Sequence, residues 1–244
     1  MAKIIKFTNV IGTEDLYPPE PASKIIPDWY KEIESYVGGV KKPDGNASTT
    51  ATIKRCMPVF DAIISGYIIK SQVDVFVSQK EMLDENNMPT GNKIPWYEWP
   101  ILNAVEFHPI IQAPNYPLRK NLPDRGSYPK WINPWSITTP EGYSCLFVQP
   151  FHRESIFTIL PGIVDTDTYS SPVNFPFVLN DWSFEGLIPA GTPIAQIVPF
   201  KRDEFEMAIG NVEDIAVQEK ISRRLRTRFF DSYKNQFRAN KSYK

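Results

Sequence analysis

The sequence predicts a mainly β protein, a barrel or jelly-roll-like core with a short helix near the N-terminus and an amphipathic helix at the C-terminus. Three observations lead there. Between residues 139 and 200, short apolar runs alternate with turn clusters such as Pro161-Gly162, Asn180-Asp181 and Pro189-Ala190-Gly191. Runs of that length, punctuated in that way, are strands. The 23 prolines are scattered without a repeat, which disfavours long helices and a polyproline linker alike. Aromatic residues make up 13% of the chain and supply bulk for a core shared among short strands and long loops.

Taken in order, 3–7 reads as a strand, followed by the turn-rich YPPEPASK. Trp29, Ile33 and Val37 then recur at four-residue spacing behind Pro27, which predicts a helix of about three turns with one apolar face. Residues 38–50 are loop by composition and the place where local disorder is expected. Residues 58–65 predict a short helix, with Gly66 suited to a left-handed position after it. The stretch 67–79 reads as one strand, with Val73, Val75 and Val77 on one side and Asp74 and Ser78 on the other. DENNMPTGN is a hairpin turn. Residues 94–135 carry Trp96, Trp99, Trp131 and Trp135 among many prolines and give no clean elements, and core packing is the expected role of these tryptophans.

Strands are predicted at 143–148, 156–160, 175–179 and 194–198, with Ile163 and Ile194 facing one core and Gly191 in a tight turn. Asn211 and Asp214 form a helix cap. Ile221, Leu225, Phe229, Tyr233 and Phe237 then recur every four residues, so their stripe winds around the helix. From 213 to 244 nine basic residues face four acidic ones, a net of +5. The expected organisation is an extension over 1–50, a β-rich core over 51–210 and a basic amphipathic helix over 211–244.

The formal net charge is −1, which argues against a globally basic nucleic-acid binder. Cys56 and Cys145 are far apart and outside metal-ligand spacing, as expected of free thiols in a reducing compartment. No run approaches the ~18 apolar residues of a membrane span, and MAKIIKFTNV is too short a run for a signal peptide. The expected setting is the cytoplasm. His108 and His152 are too few for a three-histidine metal site, and a two-histidine site would need Glu154 or Asp165 as its carboxylate. P-loop, GxGxxG and Gly-x-Ser-x-Gly motifs are absent.

The order of landmarks in 139–200 resembles the deoxyuridine triphosphatases and dCTP deaminases, which share a β-clip fold. The landmarks are PEGY, a strand ending at Pro150, GIVDTDTY, a strand ending in Leu179-Asn180, and IPAGTPIAQIV. The resemblance implies a general-base role for Asp165, which would activate the attacking water, and puts Asp167, Tyr169, Arg153, His152 and Gln196 forward as ligand-binding residues. It also implies a nucleotide ligand, a homo-oligomer of the trimeric kind, and magnesium only if the hydrolysis is retained. The chain departs from the family at the places that hold phosphate and water. Pro150 is followed by Phe151-His152-Arg153, with no serine and with the arginine two positions late. Gly66-Tyr67-Ile68-Ile69 has isoleucine where an acid belongs. FPFVLN has Val178 in place of the deaminase glutamate, Thr168 lengthens the spacing to Tyr169, and a basic helix stands where a glycine-rich closing arm would be. Gly191–Val198 matches best, and its role is to build the fold. The whole chain, through IPDWYKEI and TIKRCMPVFDAIISGYIIKSQVDVFV, also resembles an uncharacterised family frequent in marine phage genomes. That family implies a host cytosol or a virion but no activity. The leading expectation is therefore a non-catalytic β-clip protein with a binding or structural role. The alternatives are a magnesium-dependent pyrimidine deoxynucleoside triphosphate pyrophosphohydrolase using Asp165, and a virion or assembly component.

Overall fold

The computed structural model describes residues 3–12, 16–39, 50–112, 127–227 and 232–244. Among them the chain forms, in order, β1 (Lys6–Asn9), β2 (Glu20–Pro21), α1 (Asp28–Glu32), α2 (Met57–Ile64), β3 (Tyr67–Lys70), β4 (Val75–Leu83), β5 (Pro89–Glu98), β6 (Val105–Pro109) and β7 (Ser127–Trp131). There follow β8 (Trp135–Thr138), β9 (Tyr143–Val148), β10 (Phe157–Ile159), β11 (Gly162–Val164), β12 (Phe175–Leu179), β13 (Gly186–Ile188), β14 (Pro193–Lys201), α3 (Val212–Thr227) and α4 (Ser232–Gln236). The protein is mainly β, as its run lengths and prolines predict. The chain divides into two compact units, residues 1–20 with 66–202 and residues 21–65 with 203–244.

In the first unit antiparallel pairing gives the strand orders β11-β9-β14-β3, β10-β12-β7-β6, β13-β4-β5 and β1-β8. One apolar core draws on nearly all of them, including Ile69, Val75, Val77, Phe147, Ile188 and Ile197. Its centre is aromatic. Trp131 stacks on Phe177 at 5.0 Å between centroids, and Phe157 lies 5.1 Å from Trp131. Offset and tilted aromatic pairs of this kind add to the area they bury. Trp131 is thus core, as expected, whereas Trp96 stands partly open.

Two turns are set by glycine. Thr192 N–H donates to the Pro189 carbonyl at 3.2 Å, and Gly191 sits at φ 82°, the left-handed place that the third residue of a type II turn requires. Gly66, at φ 66°, lies against β14, and a Cβ there would stand 1.8 Å from the Ile197 carbonyl oxygen. Both positions were legible as glycine-requiring. The hairpin between β4 and β5 is closed by Asp84, whose N–H reaches the Met88 carbonyl while its Oδ1 accepts from Asn86 and Met88.

Two expectations for this unit are corrected. The stretch 67–79 is two strands in different sheets, because the chain breaks at 71–74 to bond the 189–192 turn: Ser71 N–H donates to Thr192 O, and Asp74 Oδ1 accepts from Ala190 N–H. The valines still face inward. Ile163 does not share the core with Ile194. It is 64% exposed, while Ile194 is buried. β11 is the outermost strand of its sheet and packs inward through Val164, so the alternation turns Ile163 out.

In the second unit, α2 packs Ile63 and Ile64 against Tyr30. The three-turn helix expected behind Pro27 stops after Glu32, because Ile33 adopts extended backbone at ψ 135°. Tyr30 is the buried residue, stacked on Phe60 at 5.8 Å with its hydroxyl donating to Lys54 O, and Trp29 and Val37 are exposed. Tertiary contact through one large ring overrides the four-residue pattern. Residues 40–49, within the expected disordered loop, lie outside the described residues.

At the C-terminal end the Asn211 cap forms as its sequence predicts. Its Oδ1 accepts from Glu213 N–H, and its own N–H donates to Asp214 Oδ2. The helix does not run on to 244: residues 237–244 form none, and 228–231, between α3 and α4, lie outside the described residues. Of the apolar stripe, Phe229 and the side chain of Leu225 lie outside the described residues, and Tyr233 and Phe237 are exposed. No helix among the described residues is long and apolar enough to cross a membrane.

Candidate functional site

The GIVDTDTY segment leaves β11 and folds over the start of β9. β9 pairs with β11 on one side and β14 on the other, with Lys201 opposite Tyr143. That register brings Arg202, the next residue, to the same strand end as Asp165 and Asp167. Its N–H donates to Gly142 O at 2.8 Å.

The Arg202 guanidinium grips both carboxylates. Nη1 donates to Asp167 Oδ1 at 2.9 Å, and Nη2 pairs with Asp167 Oδ2. Nη1 also stands 3.1 Å from Asp165 Oδ1 and donates to Ser144 Oγ at 3.1 Å. Ser144 Oγ in turn donates to Asp165 Oδ1 at 2.6 Å, and Gly142 N–H donates to Asp167 Oδ2 at 2.8 Å. A fork-to-fork pair of this kind is strong and directional. The Arg202 hydrogen bonds hold the Asp167 carboxyl well below its ordinary range, at about 2, with the Gly142 N–H acting in the same direction.

Beneath the carboxylates, Thr166 is fully buried. Its hydroxyl lies 2.8 Å from that of Thr139 and donates to Cys145 Sγ at 3.3 Å. Tyr169 and Thr168 donate their N–H groups back to Asp165 O. The loop is therefore closed by its own backbone, with Tyr169 half exposed beyond it. Asp167 has a side chain only 4% exposed, whereas that of Asp165 is 61% exposed.

The sequence-predicted site residues form two groups. Asp165, Asp167 and Tyr169 are together. Gln196 is buried in β14 opposite Val148, with its Oε1 accepting from Phe151 N–H at 2.9 Å. It fixes the turn that carries His152, at φ 54°, and Arg153. Ser144 and Val148 are separated by the length of β9, about 13 Å at the usual rise, so within one chain the two groups stand at opposite ends of that strand. Arg202 and Ser144 escaped sequence reasoning. The only available signal was a lone basic pair, Lys201-Arg202, closing the best-matched strand.

Both Asp167 oxygens and Asp165 Oδ1 are engaged by Arg202, Ser144 or Gly142. Among the described residues no group of three or more His, Cys, Asp or Glu side chains is placed to hold a metal. Cys56 and Cys145 are free thiols, and burial pushes the Cys145 thiol pKa up.

No protein-family profile matches the chain, and no curated protein matches it. Among solved structures it is similar to a mutant dUTPase from phage phi11 of S. aureus, with 12% identity, 86% of this chain and 99% of that chain covered, and a TM-score of 0.36. It is also similar to a mutant dUTPase of Staphylococcus bacteriophage 80alpha with dUpNHpp, with 11% identity, 85% and 88% of the two chains covered, and a TM-score of 0.33.

Proposed function

We propose that this chain is a non-catalytic β-clip protein with a binding or structural role, related in scaffold to the deoxyuridine triphosphatases and without their hydrolysis. The observation that carries this reading is that Arg202 pairs with both carboxylates of GIVDTDTY, the segment in which the resemblance implies a general base. A general base works best with a pKa near the operating pH and a proton acceptor within reach of water. Asp167, held at about 2, is far from that condition. Asp165 shares its Oδ1 with Ser144 and Arg202, which ties that oxygen to the cluster. The serine expected beside Pro150 is also lacking, since Phe151-His152-Arg153 follows it, and a lost transition-state donor typically costs ~10²–10³ in rate.

One observation favours the second reading, a pyrimidine deoxynucleoside triphosphate pyrophosphohydrolase: the Asp165 side chain is 61% exposed. The purified chain incubated with dUTP or dCTP and magnesium decides between them. We expect no pyrophosphate release. Turnover that disappears in Asp165→Asn would establish the second reading and remove the first.

A further inference from the structure

Three segments of the first unit meet around a small cavity: the 71–74 break between β3 and β4, residues 102–104 ahead of β6, and the end of β7. Its walls are mostly apolar, with Val73, Leu102 and Ile194 among them, and Gln72 and Trp131 also line it. The cavity leaves about 20 Å³ for the centre of a water-sized molecule.

Gln72 and Trp131 each carry one buried polar atom that finds no hydrogen-bond partner among the described residues. For Trp131, which is 1% exposed, the atom is Nε1, and an indole N–H can only donate. For Gln72 the atom is Oε1. Turning the amide round would not help. Its Nε2 donates to the Lys70 carbonyl at 2.7 Å and to the Tyr17 carbonyl at 3.2 Å, and both of those need the nitrogen end. Neighbouring wall groups are spent elsewhere: Ser71 Oγ donates to Val73 O, Asn103 Nδ2 to Glu106 Oε1 and Ile132 N–H to Ala104 O. A donor and an acceptor thus stand unsatisfied on two side chains of one cavity wall. Buried polar groups of folded proteins are satisfied by protein or by ordered water.

We propose that this cavity binds one water molecule, which accepts from Trp131 Nε1–H and donates to Gln72 Oε1. The chemistry selects water. The occupant must offer both a lone pair and a proton, so an ammonium ion fails at the indole and a halide fails at the amide oxygen. It must also be small. About 10–15 Å³ of such room holds a water, and the room here is about 20 Å³. A water bridge is nearly as favourable as a direct hydrogen bond. This one joins β7 to the break whose Ser71 N–H bonds the 189–192 turn, so it links segments far apart in the chain. The site shares no residue with the Arg202 cluster and does not depend on whether the chain hydrolyses nucleotides.

NMR magnetisation transfer from water to the indole N–H groups of the full chain tests it. The Trp131 indole proton is expected to show a cross-peak to a long-lived water and to exchange slowly with bulk solvent. Gln72→Met keeps the length of the side chain and removes the acceptor. That variant is expected to lose the cross-peak while the indole signals of the other tryptophans stay in place. A wild-type Trp131 signal without the cross-peak overturns the proposal, and so does a cross-peak unchanged in Gln72→Met. Should Gln72→Met fail to fold, a crystal structure of the wild-type chain decides. A water within hydrogen-bond distance of both Trp131 Nε1 and Gln72 Oε1 upholds the proposal, and its absence there overturns it.

Discussion

Asp61 and Asp167 are both held by arginine, but the two clusters balance charge in opposite ways. At the end of β9, one guanidinium serves two carboxylates, and one of these faces solvent. On α2, one carboxylate serves two cations: Arg238 Nη2 donates to Asp61 Oδ1 at 2.6 Å, and Lys241 Nζ donates to Oδ2 at 2.8 Å. Asp61 is buried, and the Arg238 side chain beside it nearly so. The minority partner is the critical one in each cluster, since its removal leaves like charges facing one another. The penalty grows with the burial of what remains, because a buried charge without a partner cannot recover its hydration.

The comparison predicts its largest effect at Asp61. Asp61→Asn leaves Arg238 and Lys241 without their shared carboxylate, and breaking a buried pair costs about 3 kcal/mol or more. Chemical denaturation should record that loss. Arg202→Ala should cost less, because its cluster opens to solvent at Asp165. A larger loss in Arg202→Ala than in Asp61→Asn would reverse the ranking.

Acid titration sharpens the same comparison. Hydrogen bonds from Arg202 hold the Asp167 carboxyl at about 2 in the folded chain, below its ordinary 3.8, and Asp61 is displaced in the same direction, chiefly by its hydrogen bonds from Arg238. A carboxyl that binds its proton less readily when folded contributes stability that is complete above the unfolded value. That contribution is lost as pH falls through the folded value. Stability should therefore decline between about pH 4 and pH 2. Arg202→Ala should return the Asp167 carboxyl toward its ordinary range in an NMR titration and flatten that part of the decline. An unchanged Asp167 midpoint in Arg202→Ala would show that Arg202 is not the cause.

The smallest effect is expected at Ser144. Ser144→Ala removes the hydroxyl shared by Asp165 and Arg202, at about 1 kcal/mol, and should leave the Asp61 cluster untouched. Among the described residues the two sites share no hydrogen-bond partner, so Ser144→Ala and Asp61→Asn should add within about 0.5 kcal/mol. Coupling well beyond that would mean that the clusters communicate.

Much of this architecture was legible without coordinates, and the legible parts are local. The apolar runs 143–148 and 175–179 became strands at those bounds. Gly191 and Gly66 took left-handed backbone, α2 formed between its proline and its glycine, and Asn211 capped α3. Each depends on residues a few positions apart, where periodicity, turn chemistry and capping are written directly into the chain. The aspartates of GIVDTDTY were likewise legible, through a motif of consecutive residues.

What the tertiary structure alone decided depends on residues that the fold brings together. Arg202 reaches Asp167 across 35 positions because β14 runs antiparallel to β9 in one particular register. A shift of one residue would turn it to the other side of the sheet. Ile163 was lost to solvent because β11 packs inward through Val164 and alternation turns its neighbour out, and Tyr30 displaced Trp29 from the core because Phe60 stood ready to stack on it. The sequence by itself determined where the chain turns and which runs extend. Pairing order and register decided which carboxylate meets a cation, because an ion pair forms through space and leaves no periodic trace along the chain.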